Sequence, residues 1–299
     1  MAAHNTLDHV SDSVDPALAH ETWRLGEPLH GVIYFAPQAV EQYSQVGVKG
    51  RMGYFASRAA AFGPVGAEVV LATFYNFCPD LVSSAIPAAW TLATPAQMVT
   101  ARYAAADAVL RAALGDAIDS PDLAEAAELA GRAARAACDH VHGRPLFAAH
   151  AALDWPDSPH LALWHAQTLL REFRGDGHIA ALTVEGLGGI EALISHAASG
   201  DIPSEVLRTS RGWDEQAWAA AEDGLRARGV LAPGPDLAFS DEGRAQRQWI
   251  EARTDTLSLP AYSALGESGC QRLGELLRPL SRAVVATGIL PFSRRRADL

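Results

Sequence analysis

Lysine is almost missing from this chain: Lys49 is the only one among 24 basic residues, and the rest are arginine. Even so the balance is acidic, with a formal net charge of −11. No overall field therefore draws a nucleic acid or an anionic membrane surface. Cysteine is sparse as well. Cys78, Cys138 and Cys270 lie far apart and form no CxxC or metal-spaced set. That excludes a disulfide scaffold and leads us to expect a reducing, cytoplasmic setting. The polar, acidic first twenty-one residues read as no signal peptide. No apolar run approaches membrane-spanning length without a charge or a glycine. The chain has no GxxxxGK(S/T) phosphate loop, no GxGxxG after a strand, no GxSxG elbow and no HExxH pair. Motif-borne nucleotide, acyl-transfer and zinc-hydrolase chemistries are thus not announced.

Alanine and leucine dominate instead, and with aromatics at 7% this favours helices over sheets. Residues 1–20 read as a flexible tail. From 21 to 141 helical patterns are punctuated by Pro37, Gly47–Gly50, Gly63–Pro64 and Pro79, and Ser120–Pro121 starts an alanine-rich helix. "HGRPLFAAHAALDWPDSPH" (142–159, running into the next helix) carries Pro145, Pro156 and Pro159 and reads as a linker. The second half, 160–299, opens with the helix "HLALWHAQTLLREFR". "GDG" (175–177) is expected to break it, with Asp176 capping a new helix through His178–Glu185. Three further helices, the last capped by Asp214 and stopped by Gly229, lead into two β-prone pieces around Pro233–Gly234–Pro235. A long helix from Asp241 follows.

Three helices, a hairpin and a long helix are the order of a winged helix-turn-helix. The phrase "LRARGVLA…FSDEGRA" resembles the MarR-type regulator pattern over roughly 160–287. The halves also resemble each other: Gly63, Glu68 and Trp90 can be laid on Gly188, Glu191 and Trp213. The predicted fold is therefore mainly α, with duplicated MarR-like winged-helix halves packed as an internal pseudo-dimer and a small β-wing in the second half. A monomer then needs no second copy. The first copy is cut short where DNA would be read, with 11 positions from Trp90 to Ala101 against 39 from Trp213 to Ala252. The second copy's recognition helix holds Asp214, Glu215, Glu222 and Asp223 against Arg226 and Arg228. Phosphate repels such a helix.

The helix 160–174 is apolar around most of its circumference, the mark of a central, buried element. His165, Thr168 and Glu172 share one stripe of it. Arg171, Arg174 and Asp176 suit a helix stop and restart, which leaves His165, Glu172 and His178 as the candidate acid–base set, meeting across the bend. His165 or His178 would be the general base or acid, and Glu172 or Asp176 would orient it. In the first half "LHGVIYF", "YFASRAAAF" and "ATFYNF" place His30, Tyr34, Arg58, Tyr75 and Asn76 among apolar residues, the mix of a ligand pocket. With Arg171 these are the candidate ligand-binding residues, and Arg58 or Arg171 would hold an anionic substrate. Histidines crowd 140–196 without metal spacing, so no cofactor is predicted; a haem or metal would need ligands converging from distant positions.

From "EPLHGVIYFAP" through "TFYNF" and "GRPLF" to "LWHAQTLLREFRGDGHIAAL" the chain resembles, over nearly its full length, a family of actinobacterial SalK-type helix-turn-helix proteins. The resemblance implies a MarR-related helical fold and, with no settled activity, no catalytic residues. The reading reached is a small-molecule-binding protein whose pocket lies between the halves and whose DNA binding is lost. An enzyme of specialised metabolism using the same pocket, or a ligand-responsive MarR-type regulator, are the alternatives.

Overall fold

The computed structural model describes residues 14–200 and 202–291. Among them are fourteen α-helices and no β-strand. The first half runs α1 (Pro16–Gly31), α2 (Pro37–Gln45), α3 (Arg51–Ala59), α4 (Ala67–Phe74), α5 (Pro79–Ser83), α6 (Pro95–Leu114) and α7 (Pro121–Ala137). After α8 (Pro145–Ala151) come α9 (Pro159–Val184), α10 (Gly189–Ala198), α11 (Ser204–Arg211), α12 (Glu215–Ala227), α13 (Asp241–Ser263) and α14 (Gly266–Ala286). Local signals set many of these bounds. Proline opens seven of the fourteen helices at their first residue, and the hydroxyls or carboxylates of Asp15, Thr94, Ser120, Asp214 and Ser240 cap starts. No single helix among the described residues is long and apolar enough to cross a membrane.

Most of the predicted tail, 1–13, lies outside the described residues, and Pro16–His20 already form the start of α1. The predicted linker is not one. Residues 145–151 form α8, and its Leu146, Phe147 and His150 are buried in the core. The apolar side chains of a short helix found a place beside α9, so prolines that looked like punctuation turned out to open helices.

The largest departure is in α9. It runs unbroken for 26 residues through Gly175–Asp176–Gly177 and packs on α1, α6, α7, α8 and α13. Gly177 serves close packing rather than a break, while a Cβ on Gly175 would meet only Glu172 Oε2, at 3.6 Å. A Cβ on Gly177 would stand 2.9 Å from Arg144 Nη1 and 3.3 Å from Leu257 Cβ. Asp176 caps no local helix; it accepts the backbone N–H of Phe147 at 2.9 Å, at the start of α8. Two helix-interior glycines cost about 1 kcal/mol each in propensity, and the close approach of α8 and α13 offsets that.

Two hydrophobic cores result. The larger takes residues from both ends of the chain, from α1 to Phe173 and again from Ala261 to Leu290. The smaller is built from the end of α9, from α10, α11 and α12, and from the start of α13 around Leu193, Trp218, Leu225 and Ile250. The division therefore falls inside α9 and α13, which run through both, and not at 142–159. The predicted β-wing is also absent as a sheet: Leu231 and Phe239 form one isolated antiparallel bridge, too little to register as strands.

Candidate functional site

Where the two cores meet there is a cleft with two adjoining lobes, of about 620 and 520 Å³. Both are lined by Glu27, Tyr54, Phe77, Arg171, Ile202 and Arg211. The outer lobe adds Tyr34, Phe35, Arg51 and Phe55 from the larger core and Ser210 from α11. The inner lobe reaches Arg58, Tyr75, Asn76, Glu172, Asp176 and His178. One local device shapes the rim: Gly50 takes φ +59°, a value open to glycine, and so turns the chain into α3.

Beneath the inner lobe Glu172 is the centre of charge. Both its oxygens accept from Arg58 Nη2 at 3.2 Å, and Oε1 accepts from Arg171 Nη1 at 3.2 Å. The side chains of Arg58 and Glu172 are 9% and 3% exposed. Burial alone would raise the Glu172 pKa, but Arg58 and Arg171 hold it down at about 2. Arg171 in turn reaches Glu27 at 3.2 Å, and Arg58 donates to Tyr54 Oη at 3.0 Å while lying 4.2 Å from the Phe74 ring centre. Both partners of the ion pair are thus locked by second contacts, the condition for a fixed geometry in a buried pair.

A second chain of bonds ends on Tyr34. Thr168 Oγ1 donates its one proton to Trp164 O at 3.0 Å, so it can only accept from His30 Nδ1, also at 3.0 Å. His30 is fully buried, and burial followed by Arg171, Arg102 and Arg58 keeps its pKa far below the usual value, so the ring is neutral. Its proton then sits on Nδ1, Nε2 is the acceptor, and Tyr34 Oη–H donates to it at 2.8 Å. Arg102 Nη2 donates to the same phenol oxygen at 3.3 Å. The Tyr34 proton is committed inward, and its oxygen faces cations.

The three predicted acid–base residues do not converge. With no bend in α9, His165 points to Tyr103 Oη (2.7 Å) and the Trp155 ring, away from both lobes. Its Nε2 is buried without a partner, and burial lowers its pKa to about 4. Glu172 and His178 do line the inner lobe, but they face different partners: His178 Nδ1 bonds Thr254 Oγ1 at 2.9 Å. His178 is neutral because burial takes its pKa to about 4, and not through a helix N-terminus. Arg171 and Arg174 are likewise mid-helix, and Arg174 is bonded to Asp255 at 2.6 Å. Of the ligand-binding candidates, His30 lies behind the wall and Tyr34, Arg58, Tyr75, Asn76 and Arg171 line the lobes. Tyr75 takes φ +60°, and its hydroxyl donates to Leu187 O, so this side chain joins the two cores.

Sequence reasoning missed Arg211, Tyr54, Phe77, His150 and Arg102. Arg102 is buried with Nε and Nη1 unpartnered. Nothing in the local pattern marks these residues; they face one another only across the packed helices. The telling property of Asp176 is a pKa pushed up to about 7, first by burial and further by Glu172. Among the described residues no three His, Cys, Asp or Glu side chains gather as a metal site.

The far wall of the cleft is formed by α10 and α11, and α11 is the first helix of a helix-turn-helix completed by α12. α11 ends at Arg211, Gly212 turns in the left-handed region at φ +81°, and Asp214 caps α12 by accepting Ala217 N–H at 2.6 Å. Its turn is latched to the larger core. Cys78 N–H donates to Arg211 O at 2.9 Å, Trp213 Nε1–H to Asn76 O at 3.0 Å, and a Cβ on Gly212 would meet Leu81 at 2.9 Å. The outer face of α12 shows Glu215 and Asp223, with side chains 87% and 82% exposed, beside Ala219 and Ala220. Arg208, Arg226 and Arg228 are held by Glu215, Glu222 with Asp223, and Glu191.

No curated protein matches the chain, and no solved structure does. A family pattern does match, over residues 19–291 and thus nearly the whole described chain, including the turn between α11 and α12. The chain belongs to this helix-turn-helix family.

Proposed function

We propose that this chain is a small-molecule-binding protein whose ligand lies in the cleft between the two cores, with the helix-turn-helix serving as a wall of that cleft and not as a DNA reader. One observation carries the reading: the cleft is walled from both cores, is of ligand size, and collects a few oriented polar groups among aromatic rings. The acidic outer face of α12, with its arginines already paired, supports the loss of DNA contact. The MarR-like, SalK-type affinity stays part of this proposal. So does an ancestral duplication, in keeping with α4 and α10, which both follow a glycine and carry an early glutamate, Glu68 and Glu191. The reading uses a single chain and invokes no metal or cofactor.

Native mass spectrometry of the purified chain is the test, paired with a duplex DNA titration in low salt. The expected result is a bound small molecule, or one taken up from a cell extract of metabolites, and no DNA binding. Salt-dependent duplex binding that maps to 214–244 would overturn it in favour of the regulator.

A further inference from the structure

The outer lobe has a composition that the chain as a whole does not. In a protein of net charge −11, its charged lining is Arg51, Arg171 and Arg211 against Glu27 alone. Arg171 is already shared between Glu27 and Glu172. Behind it, Arg58 and Glu172 neutralise each other. Neither Arg51 nor Arg211 has a carboxylate within ion-pair distance among the described residues, so the lobe is left with two uncompensated cations.

Arg211 is the more telling. It is the last residue of α11; its Nη1 bonds only Ser210 Oγ at 3.0 Å, and its Nε is buried with no partner. Burial, with Arg58, Arg171 and Arg51 nearby, lowers its pKa despite the opposing pull of Tyr54, a cost that a bound anion would relieve. A buried guanidinium edge without an acceptor is expensive unless something fills it. Around these cations stand five rings, of Tyr34, Phe35, Tyr54, Phe55 and Phe77. Phe77 lies 4.9 Å from the Arg211 guanidinium, and Phe35 is 52% exposed at the rim.

Building on the small-molecule reading above, we infer that the ligand of this cleft is an organic anion with a flat apolar body, such as an aromatic carboxylate. Its anionic group meets Arg211 and Arg51 and its body lies among Tyr54, Phe77 and Phe35. The position of Arg211 gives the contact a consequence. It is the residue from which the helix-turn-helix turn departs, so a ligand bridging Arg211 to the rings of the larger core ties the two cores together.

Isothermal titration of the full chain with 2-naphthoate, with the neutral 2-naphthalenemethanol and with inorganic phosphate tests this, on wild type, Arg211→Met and Arg51→Gln. A charge-assisted pair is worth roughly 1.5–3 kcal/mol, so the carboxylate is expected to bind about 10- to 100-fold tighter than the alcohol. Arg211→Met should remove most of that ratio while leaving the alcohol's affinity in place, which also shows the variant folded. Equal affinity for acid and alcohol, or a ratio indifferent to both substitutions, overturns the anion assignment and leaves the cleft reading standing. Phosphate binding as tightly as the acid overturns the aromatic half of it. Failure of both naphthalenes at millimolar concentration overturns this inference alone, while the small-molecule reading falls only with its own test by native mass spectrometry.

Discussion

The two cores treat charge in opposite ways. The larger one buries Arg58, Arg102, Glu172, His30, His150 and His165. The helix-turn-helix unit keeps its ions half-buried or exposed, in short-range pairs such as Arg226 with Glu222 and Arg244 with Asp241. Surface pairs contribute little to stability, because water screens them and long side chains lose entropy. Buried ones carry desolvation costs of several kcal/mol per ion and are weak evidence of stability. Most of the costly groups stand on the larger-core side of the cleft, several of them unsatisfied, and the facing wall adds Arg211, whose Nε is also buried without a partner. The helix-turn-helix unit supplies shape, one guanidinium and a lid of ordinary surface.

Removing Glu172 should give the largest contrast between the cores. Glu172→Ala leaves Arg58 buried without its carboxylate, and denaturant unfolding is expected to show a loss of about 3–5 kcal/mol. Glu222→Ala, its counterpart on α12, should cost no more than about 1 kcal/mol. Equal costs would erase the distinction.

Acid should act next, and again on the larger core. His150 and His165 have pKa values lowered to about 3 and about 4, both first by burial. Such groups bind protons less well folded than unfolded. Their contribution is complete above the unfolded value near 6.5 and is lost as pH falls from there toward 3–4. Glu172, held at about 2, adds its own loss only below about 4.5. Asp176, pushed up to about 7, takes up its proton over the same window and offsets about one histidine. His30 and His178 are lowered as well, so thermal stability should still weaken from pH 6.5 downward. His165→Phe should flatten the first part of that slope, and a slope unchanged by it would remove His165 from the account.

The junction between the cores should respond to a single methyl group. A Cβ on Gly189 would lie 2.1 Å from the carbonyl oxygen of Tyr75. Gly189→Ala is expected to cost about 1–3 kcal/mol by overpacking, with amide exchange speeding up in α10–α12 before α6 and α7. Uniform acceleration would mean that the cores do not open separately. The smallest effect should come from Asp223→Asn on the outer face of α12, within about 0.5 kcal/mol. In low salt it should give no binding to duplex DNA; any that appeared would show charge alone had masked a reading helix.

Much of the framework was legible in sequence. Asp214 before α12, Ser120–Pro121 before α7, Gly229 after α12 and the apolar belt of α9 all act within a few residues of themselves. Local chemistry therefore suffices to read them. Of the site, Tyr34, Arg58, Glu172 and Arg171 could be picked as polar groups in apolar surroundings, but their partners could not. Arg58 meets Glu172 across 114 positions and His30 meets Thr168 across 138. No period or spacing records such pairs.

"GDG" marks the boundary between the two kinds of knowledge. Two glycines around an aspartate carry a real local preference for a helix break, worth about 1 kcal/mol per glycine. Sequence alone settled that this chain would be helical, acidic outside and punctuated by proline and glycine, since those follow from propensities and caps. Tertiary structure decided that Gly175–Asp176–Gly177 would stay helical, that His165 and His178 would face apart, and that two cores rather than two halves would meet at a cleft. The reason is one of magnitude: a local preference of about 1 kcal/mol per residue yields when helices from α1 to α13 pack on every side of α9.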